Sequence, residues 1–127
     1  MRKPKELIWK DGKLIFKDYA LRNVSILEEK YLELMSNREK QAVRTGLEDC
    51  LYQPDEVWID KVETEEGKIS LYRYFKFYKD GTYLVLARVN STSNFQLIDF
   101  SFFEEEQISE VEQLRKGIPA KGGGIPR

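Results

Sequence analysis

The 127-residue chain contains no histidine. That absence removes the commonest general acid–base group and the commonest nitrogen ligand for metals near neutral pH. A Ser-His-Asp triad, a Cys-His pair and the ordinary zinc sites are excluded with it. Cysteine is almost as scarce. Cys50 stands alone, with no disulfide partner in the chain, which rules out a stapled secreted scaffold and predicts a reducing, cytoplasmic compartment. Long apolar runs are missing as well: no stretch approaches the ~20 residues that span a bilayer. The charged start, Met1-Arg2-Lys3-Pro4-Lys5-Glu6, is followed by no apolar segment of signal-peptide length, so neither a signal peptide nor a membrane partner is expected. Net charge is nearly absent too, at -1 from 21 basic and 22 acidic residues. Any pull on a nucleic acid must therefore come from a local patch. No Walker loop or dinucleotide-binding glycine pattern precedes a helix, and neither a cofactor nor a metal is expected.

What is present is enough apolar material for one core: 41% hydrophobic residues, among them seven Phe, seven Tyr and two Trp. Asp11-Gly12 between two apolar arms predicts an N-terminal β-hairpin. Ser25 with Glu28, and Ser36 with Glu39, fit the capping box and predict two helices, over 26–35 and 37–52, the second stopped by Pro54. From Val57 the chain turns β-rich, with runs at 57–62, 69–78, 83–89 and 95–103. The short connectors between them force antiparallel pairing in sequence order. A short helix follows at 107–115. The reading is an α+β domain over residues 1–118, two N-terminal helices packed on a four-stranded antiparallel meander, with the N-terminal β-hairpin and a short C-terminal helix. A Gly/Pro tail over 119–127 is expected to be flexible.

Charge is unevenly spread along this pattern. Between Gly67 and Ile98 stand Lys68, Arg73, Lys76, Lys79 and Arg88 against the single acid Asp80; between Ser101 and Leu114 stand five glutamates and no base. Alternation along the second strand puts Tyr72, Tyr74, Lys76 and Tyr78 on one face, with Leu71, Arg73, Phe75 and Phe77 on the other. In the last strand Ile98, Phe100 and Phe102 read as core, which turns Leu97, Asp99 and Ser101 outward. One face would then carry tyrosines, a lysine, a serine and an aspartate, a surface that can stack bases and bind phosphate. The same residues are also ordinary on a solvated antiparallel face. Cys50 falls on the apolar helix face and reads as a packed thiol.

The order of elements has a further resemblance. A helix carrying Arg38 leads to Thr45-Gly46-Leu47-Glu48-Asp49-Cys50-Leu51-Tyr52-Gln53-Pro54-Asp55-Glu56-Val57-Trp58, then to four strands with Tyr74-Phe75-Lys76-Phe77 in the second, then to Leu114-Arg115-Lys116-Gly117. Over residues 25–118 this resembles the phage members of the barnase–EndoU–colicin–RelE nuclease superfamily. The resemblance implies helices on a four-stranded antiparallel sheet and metal-independent cleavage of RNA, with tRNA as a candidate substrate. Such chemistry needs a base, an acid and cationic stabilisation of the phosphorane-like transition state. It implies Lys76 and Arg88 in the cationic role, converging in one groove, and Ser101 and Asp99 as phosphate-orienting or proton-accepting groups. Arg73, Tyr74, Lys68 and Arg38 are implied as substrate contacts. A protein inhibitor or a phage structural protein would be the protein partner. Family members often use a histidine and this chain has none, so an inactive descendant serving as a phage interaction module is the alternative.

Overall fold

A computed structural model of the chain describes residues 9–122. Strand β1 (Trp9–Lys10) turns through Asp11 (φ 54°) and Gly12 (φ 72°) into β2 (Lys13–Lys17), and β3 (Asn23–Leu27) runs directly into helix α1 (Glu28–Met35). Helix α2 (Arg38–Val43), a 3-10 turn at Arg44–Gly46 and helix α3 (Leu47–Tyr52) follow. Then come β4 (Glu56–Thr64), β5 (Gly67–Tyr78), β6 (Gly81–Ser91) and β7 (Asn94–Glu104). A second 3-10 turn at Glu105–Gln107, helix α4 (Ile108–Leu114) and strand β8 (Ile118–Lys121) close the described chain.

The architecture corrects the expectation of two helices on a four-stranded meander. The strands form one eight-stranded mixed sheet in the order β1-β2-β3-β7-β6-β5-β4-β8. β4 to β7 pair antiparallel with one another, but the sheet grows at both edges. On one side β3 lies parallel to β7 through Asn23↔Asn94, Val24↔Phe95 and Ser25↔Gln96. On the other, β8 pairs antiparallel with β4, so residues 118–121 belong to the sheet. Of the rest of the expected tail, Gly122 is described and 123–127 lie outside the described residues. Gly117 makes the approach to β8 possible: at φ 101° a Cβ there would sit 2.0 Å from the Ile59 carbonyl oxygen.

The helices are shorter than their sequence signals suggested. Ser25 is used in β3 and caps nothing; Leu27 stands at the N-cap of α1 without a side-chain bond. Asn37, not Ser36, caps α2, its side chain accepting from the amides of Glu39 (2.8 Å) and Lys40 (3.1 Å). The expected helix over 37–52 breaks at the 3-10 turn because Tyr83 intervenes. Its hydroxyl donates to the Val43 carbonyl at 2.5 Å, the oxygen that a continuous helix would give to Leu47, and the Leu47 amide turns to Arg44 instead.

Apolar residues fill both faces of the sheet. Under α1–α3 lie Tyr74, Tyr83, Val85, Ala87, Leu97 and Phe100 with Leu47, Cys50 and Leu51. On the other face Trp58, Phe75 and Leu84 pack against Val111 of α4. Double coverage of the middle of the sheet explains the near-continuous burial of β6 from Gly81 to Val85. In β7 the register shifts between Leu86 and Ala87 of its neighbour, so that Leu97 takes the inner position expected of Ile98.

A buried carboxylate ties the N-terminal strands to this core. Asp18, fully buried, accepts from the amides of Ala20 and Arg22 at 2.9 Å, and through its second oxygen from Arg22 Nε and the Tyr74 hydroxyl, both at 2.8 Å. The loop it organises holds Leu21 at φ 63°, a conformation that costs a non-glycine residue about 1 kcal/mol or more. Asp18→Ala would strand Arg22, whose side chain keeps 18% exposure, and is expected to cost about 3 kcal/mol in denaturant unfolding, the low end for breaking a buried pair. Alkali gives a second expectation. Burial holds the Tyr74 and Tyr83 hydroxyls above the ordinary 10.0, with Asp18 adding to the shift at Tyr74 and the Cys50 thiol at Tyr83. Groups raised in the folded state contribute full stability below the unfolded value and lose it as pH climbs beyond it. Their tyrosinate absorbance should therefore appear only together with loss of near-ultraviolet circular dichroism, at a pH above the titration of the exposed tyrosines.

Candidate functional site

Cross-strand register decides which of the candidate residues meet, because paired residues share a face. On β5 the helix-facing set is Tyr72, Tyr74 and Lys76; on β6 it is Tyr83, Val85 and Ala87. Arg88 pairs with Leu71 and Gln96, so it belongs to the other face, along with Arg73, Leu86 and Asp99 in the next row and Phe75, Leu84 and Ser101 in the row beyond. Four of the candidates therefore share the face away from α1–α3: Arg73 on β5, Arg88 on β6, and Asp99 and Ser101 on β7. At ~4.8 Å between strands, Arg73 and Asp99 are about 10 Å apart across β6.

The expected convergence of Lys76 and Arg88 does not occur. They stand on opposite faces and five positions apart along the sheet, about 17 Å. The tyrosine face was read as open, but the helices pack on it. Tyr74 is fully buried and its hydroxyl is committed to Asp18. Lys76 Nζ donates to the Gln53 carbonyl at 2.8 Å, satisfying the end of α3. Lys68 is exposed near the β4–β5 turn on that same alternation, and Arg38 is exposed at the start of α2. Neither joins the arginine face.

The cations of that face have carboxylate partners. Arg73 Nη1 donates to Asp60 at 3.0 Å, and Lys116 Nζ lies 3.9 Å from the same oxygen. Arg88 Nη2 donates to Glu66 in the β4–β5 turn at 3.2 Å, an exposed pair of the kind worth at most about 1 kcal/mol. Arg88 Nε is buried without a hydrogen-bond partner among the described residues, so the guanidinium retains donor capacity.

One residue of the cluster was not anticipated. Lys40, in the first turn of α2, reaches over the edge of β7. Its ammonium donates to Asp99 Oδ1 (2.8 Å), Ser101 Oγ (2.9 Å) and the Phe100 carbonyl (2.6 Å). Asp99 Oδ1 also accepts from the Phe100 amide at 2.8 Å, and among the described residues Oδ2 has no hydrogen-bond partner. Nothing local marks Lys40, since its partners lie about sixty positions away. Its cap at Asn37 is the one nearby signal. The constellation is an ammonium, a carboxylate with one free oxygen, a hydroxyl and a guanidinium, all at the open half of the sheet. Chemically it can accept a proton, donate one and neutralise an anion. Among the described residues no group of three or more Asp, Glu or Cys side chains is arranged to hold a metal ion.

A family model described as PBECR2, phage-Barnase-EndoU-ColicinE5/D-RelE like nuclease2, matches residues 2–119 of the chain. No curated protein and no solved structure matches it.

Lys76→Ala separates the two faces. It is expected to cost about 1 kcal/mol, read by denaturant unfolding, because it removes one hydrogen bond to a helix end. It should leave unchanged any amide shifts that inorganic phosphate induces around Arg88 and Asp99, whereas Arg88→Ala should abolish them.

Proposed function

We propose that this chain, which belongs to the PBECR2 family of phage-Barnase-EndoU-ColicinE5/D-RelE like nucleases, cleaves RNA phosphodiester bonds without a metal, on the face carrying Arg88, Asp99 and Ser101. The observation that carries the reading is the pair of bonds from Lys40 Nζ to Asp99 and Ser101, on the strand beside Arg88. In this mechanism the free Oδ2 of Asp99 takes the proton of a 2′-hydroxyl. The 2′-oxygen attacks the adjacent phosphorus, and the bond to the 5′-oxygen breaks, leaving a 2′,3′-cyclic phosphate. Lys40 delivers a proton to the departing 5′-oxygen. Arg88 neutralises the equatorial oxygens as charge builds on them. Ser101 orients Lys40. Histidine is dispensable in this scheme because a carboxylate and an ammonium divide its two tasks.

A second reading has its own observation. Arg73, Arg88 and Lys40 each already have a carboxylate partner within the chain. A face so neutralised also suits a non-catalytic phage interaction or structural module descended from the same fold.

Incubating the full chain with tRNA in EDTA distinguishes the two. Cleavage giving cyclic-phosphate ends, reduced about 100-fold or more in Asp99→Asn and Lys40→Ala at unchanged stability, is the expected result. Wild-type protein that leaves RNA and single-stranded oligonucleotides intact over prolonged incubation would leave the module reading in its place.

A further inference from the structure

The end of the sheet opposite Arg88 has a different character. Two clefts, of about 410 and 350 Å³, lie on either side of the β5–β6 turn and meet at Tyr78. Their apolar surface is exposed rather than closed off: Phe77 and Tyr78 keep 41% and 40% of their surface and Ile108, at the start of α4, keeps 54%. Large side chains left this open beside one another mark a contact surface more often than scattered exposed residues do. The clefts' charge is one-sided. Asp49 and Asp80 line the first, Glu104 and Glu105 the second, and no lysine or arginine lines either. Among the described residues none of these four carboxylates forms a salt bridge, although acid–base pairs are common elsewhere on the molecule. Tyr78 senses the field: burial, then the Asp49 carboxylate, the Cys50 thiol and Asp55, raise its hydroxyl above the ordinary value.

We infer that this groove is a docking site for a partner protein, and that it takes a Lys/Arg-rich segment which seats an aliphatic or aromatic side chain against Tyr78 and Ile108. Charge identifies the occupant. The four carboxylates, none of them in a salt bridge among the described residues, outnumber Lys79 of the intervening turn and favour a basic chain over a polynucleotide, while the exposed rings supply the apolar contact that a purely electrostatic encounter lacks. The surface lies far from Arg88 but adjoins the other proposed catalytic groups, since Lys40, Ser101 and Glu104 line one further cleft. Arg88 lies six positions further along β6 than Thr82, about 20 Å away, so a partner could occupy the groove without covering the arginine face.

The test uses the ¹⁵N-labelled full chain and short synthetic peptides, one alternating lysine with leucine, one with glutamate in place of lysine and one with serine in place of leucine. The lysine–leucine peptide should shift amides over 77–82 and 104–108, leaving those around Arg88 and Asp99 in place. Affinity should fall about tenfold or more in Asp80→Lys/Glu105→Lys and again in Ile108→Ser, with each variant's circular dichroism and unfolding midpoint checked first. Equal binding of the glutamate or serine peptide would overturn the inference. So would shifts centred elsewhere, no binding up to millimolar peptide, movement of the same amides by single-stranded RNA, or their movement with protein concentration alone, which would assign the groove to a second copy of the chain. None of these readouts depends on RNA cleavage.

Discussion

The N-terminal strands are held to the rest of the molecule by a joint that is weak along its own length, and the Asp18 carboxylate is what compensates for it. β3 meets β7 through three residue pairs only, after a loop closure of about seventy residues whose entropy those few backbone bonds must offset. Asp18 gathers its own loop amides, the Arg22 guanidinium and the Tyr74 hydroxyl from β5 onto two oxygens. Arg22 in turn lies over the rings of Tyr19, Tyr72 and Phe95, and so touches β5 and β7 together. Where β3 stops is therefore fixed. Beyond Gln96 the outer side of β7 has no strand partner among the described residues, and α2 lies alongside it. Lys40 can reach Asp99 and Ser101 because that side is open.

The sheet is layered on both faces over its middle, and this is why the sequence spoke clearly about strands and poorly about faces. Each central strand announced itself through aromatic and β-branched residues bounded by turn formers. The choice of buried face rested on alternation, and alternation loses its meaning where both sides are covered: Tyr74 packs beneath α3 while its neighbour Phe75 packs beneath α4. Alternation groups Tyr74 with Tyr72, Lys76 and Tyr78 on a face read as open, yet Tyr74 is buried there and spends its hydroxyl on Asp18. Lys76 shares that helix-covered face and so stands opposite Arg88. The register shift opposite Leu86 and Ala87 is equally invisible in one sequence, because nothing in Leu97-Ile98-Asp99 says which residue is extra.

Charge was more legible than geometry. The excess of bases across the central strands and the run of acids after Ser101 could be counted directly, and the fold turns that linear separation into a spatial one. Arg88 stands on the half of the sheet that α4 leaves open, whereas Arg73 is buried against Asp60. Glu104 and Glu105 instead join Asp49 and Asp80 around the β5–β6 turn. A chain with almost no net charge thus carries four unpaired acids around one turn and its paired cations elsewhere on the sheet. What could not be read were the pairings that temper the cations, since Asp60, Glu66 and Lys40 come from segments with no motif of their own.

Lys40 has one further consequence, for the chain's behaviour in a crowded solution. An unpartnered strand border offers its amides and carbonyls to any other extended chain, and such borders are where proteins stack into insoluble assemblies. By donating its ammonium to the Phe100 carbonyl, this side chain occupies an acceptor that an incoming strand would need. The same lysine that bonds Asp99 and Ser101 also makes this border a poor template for a second copy of the chain.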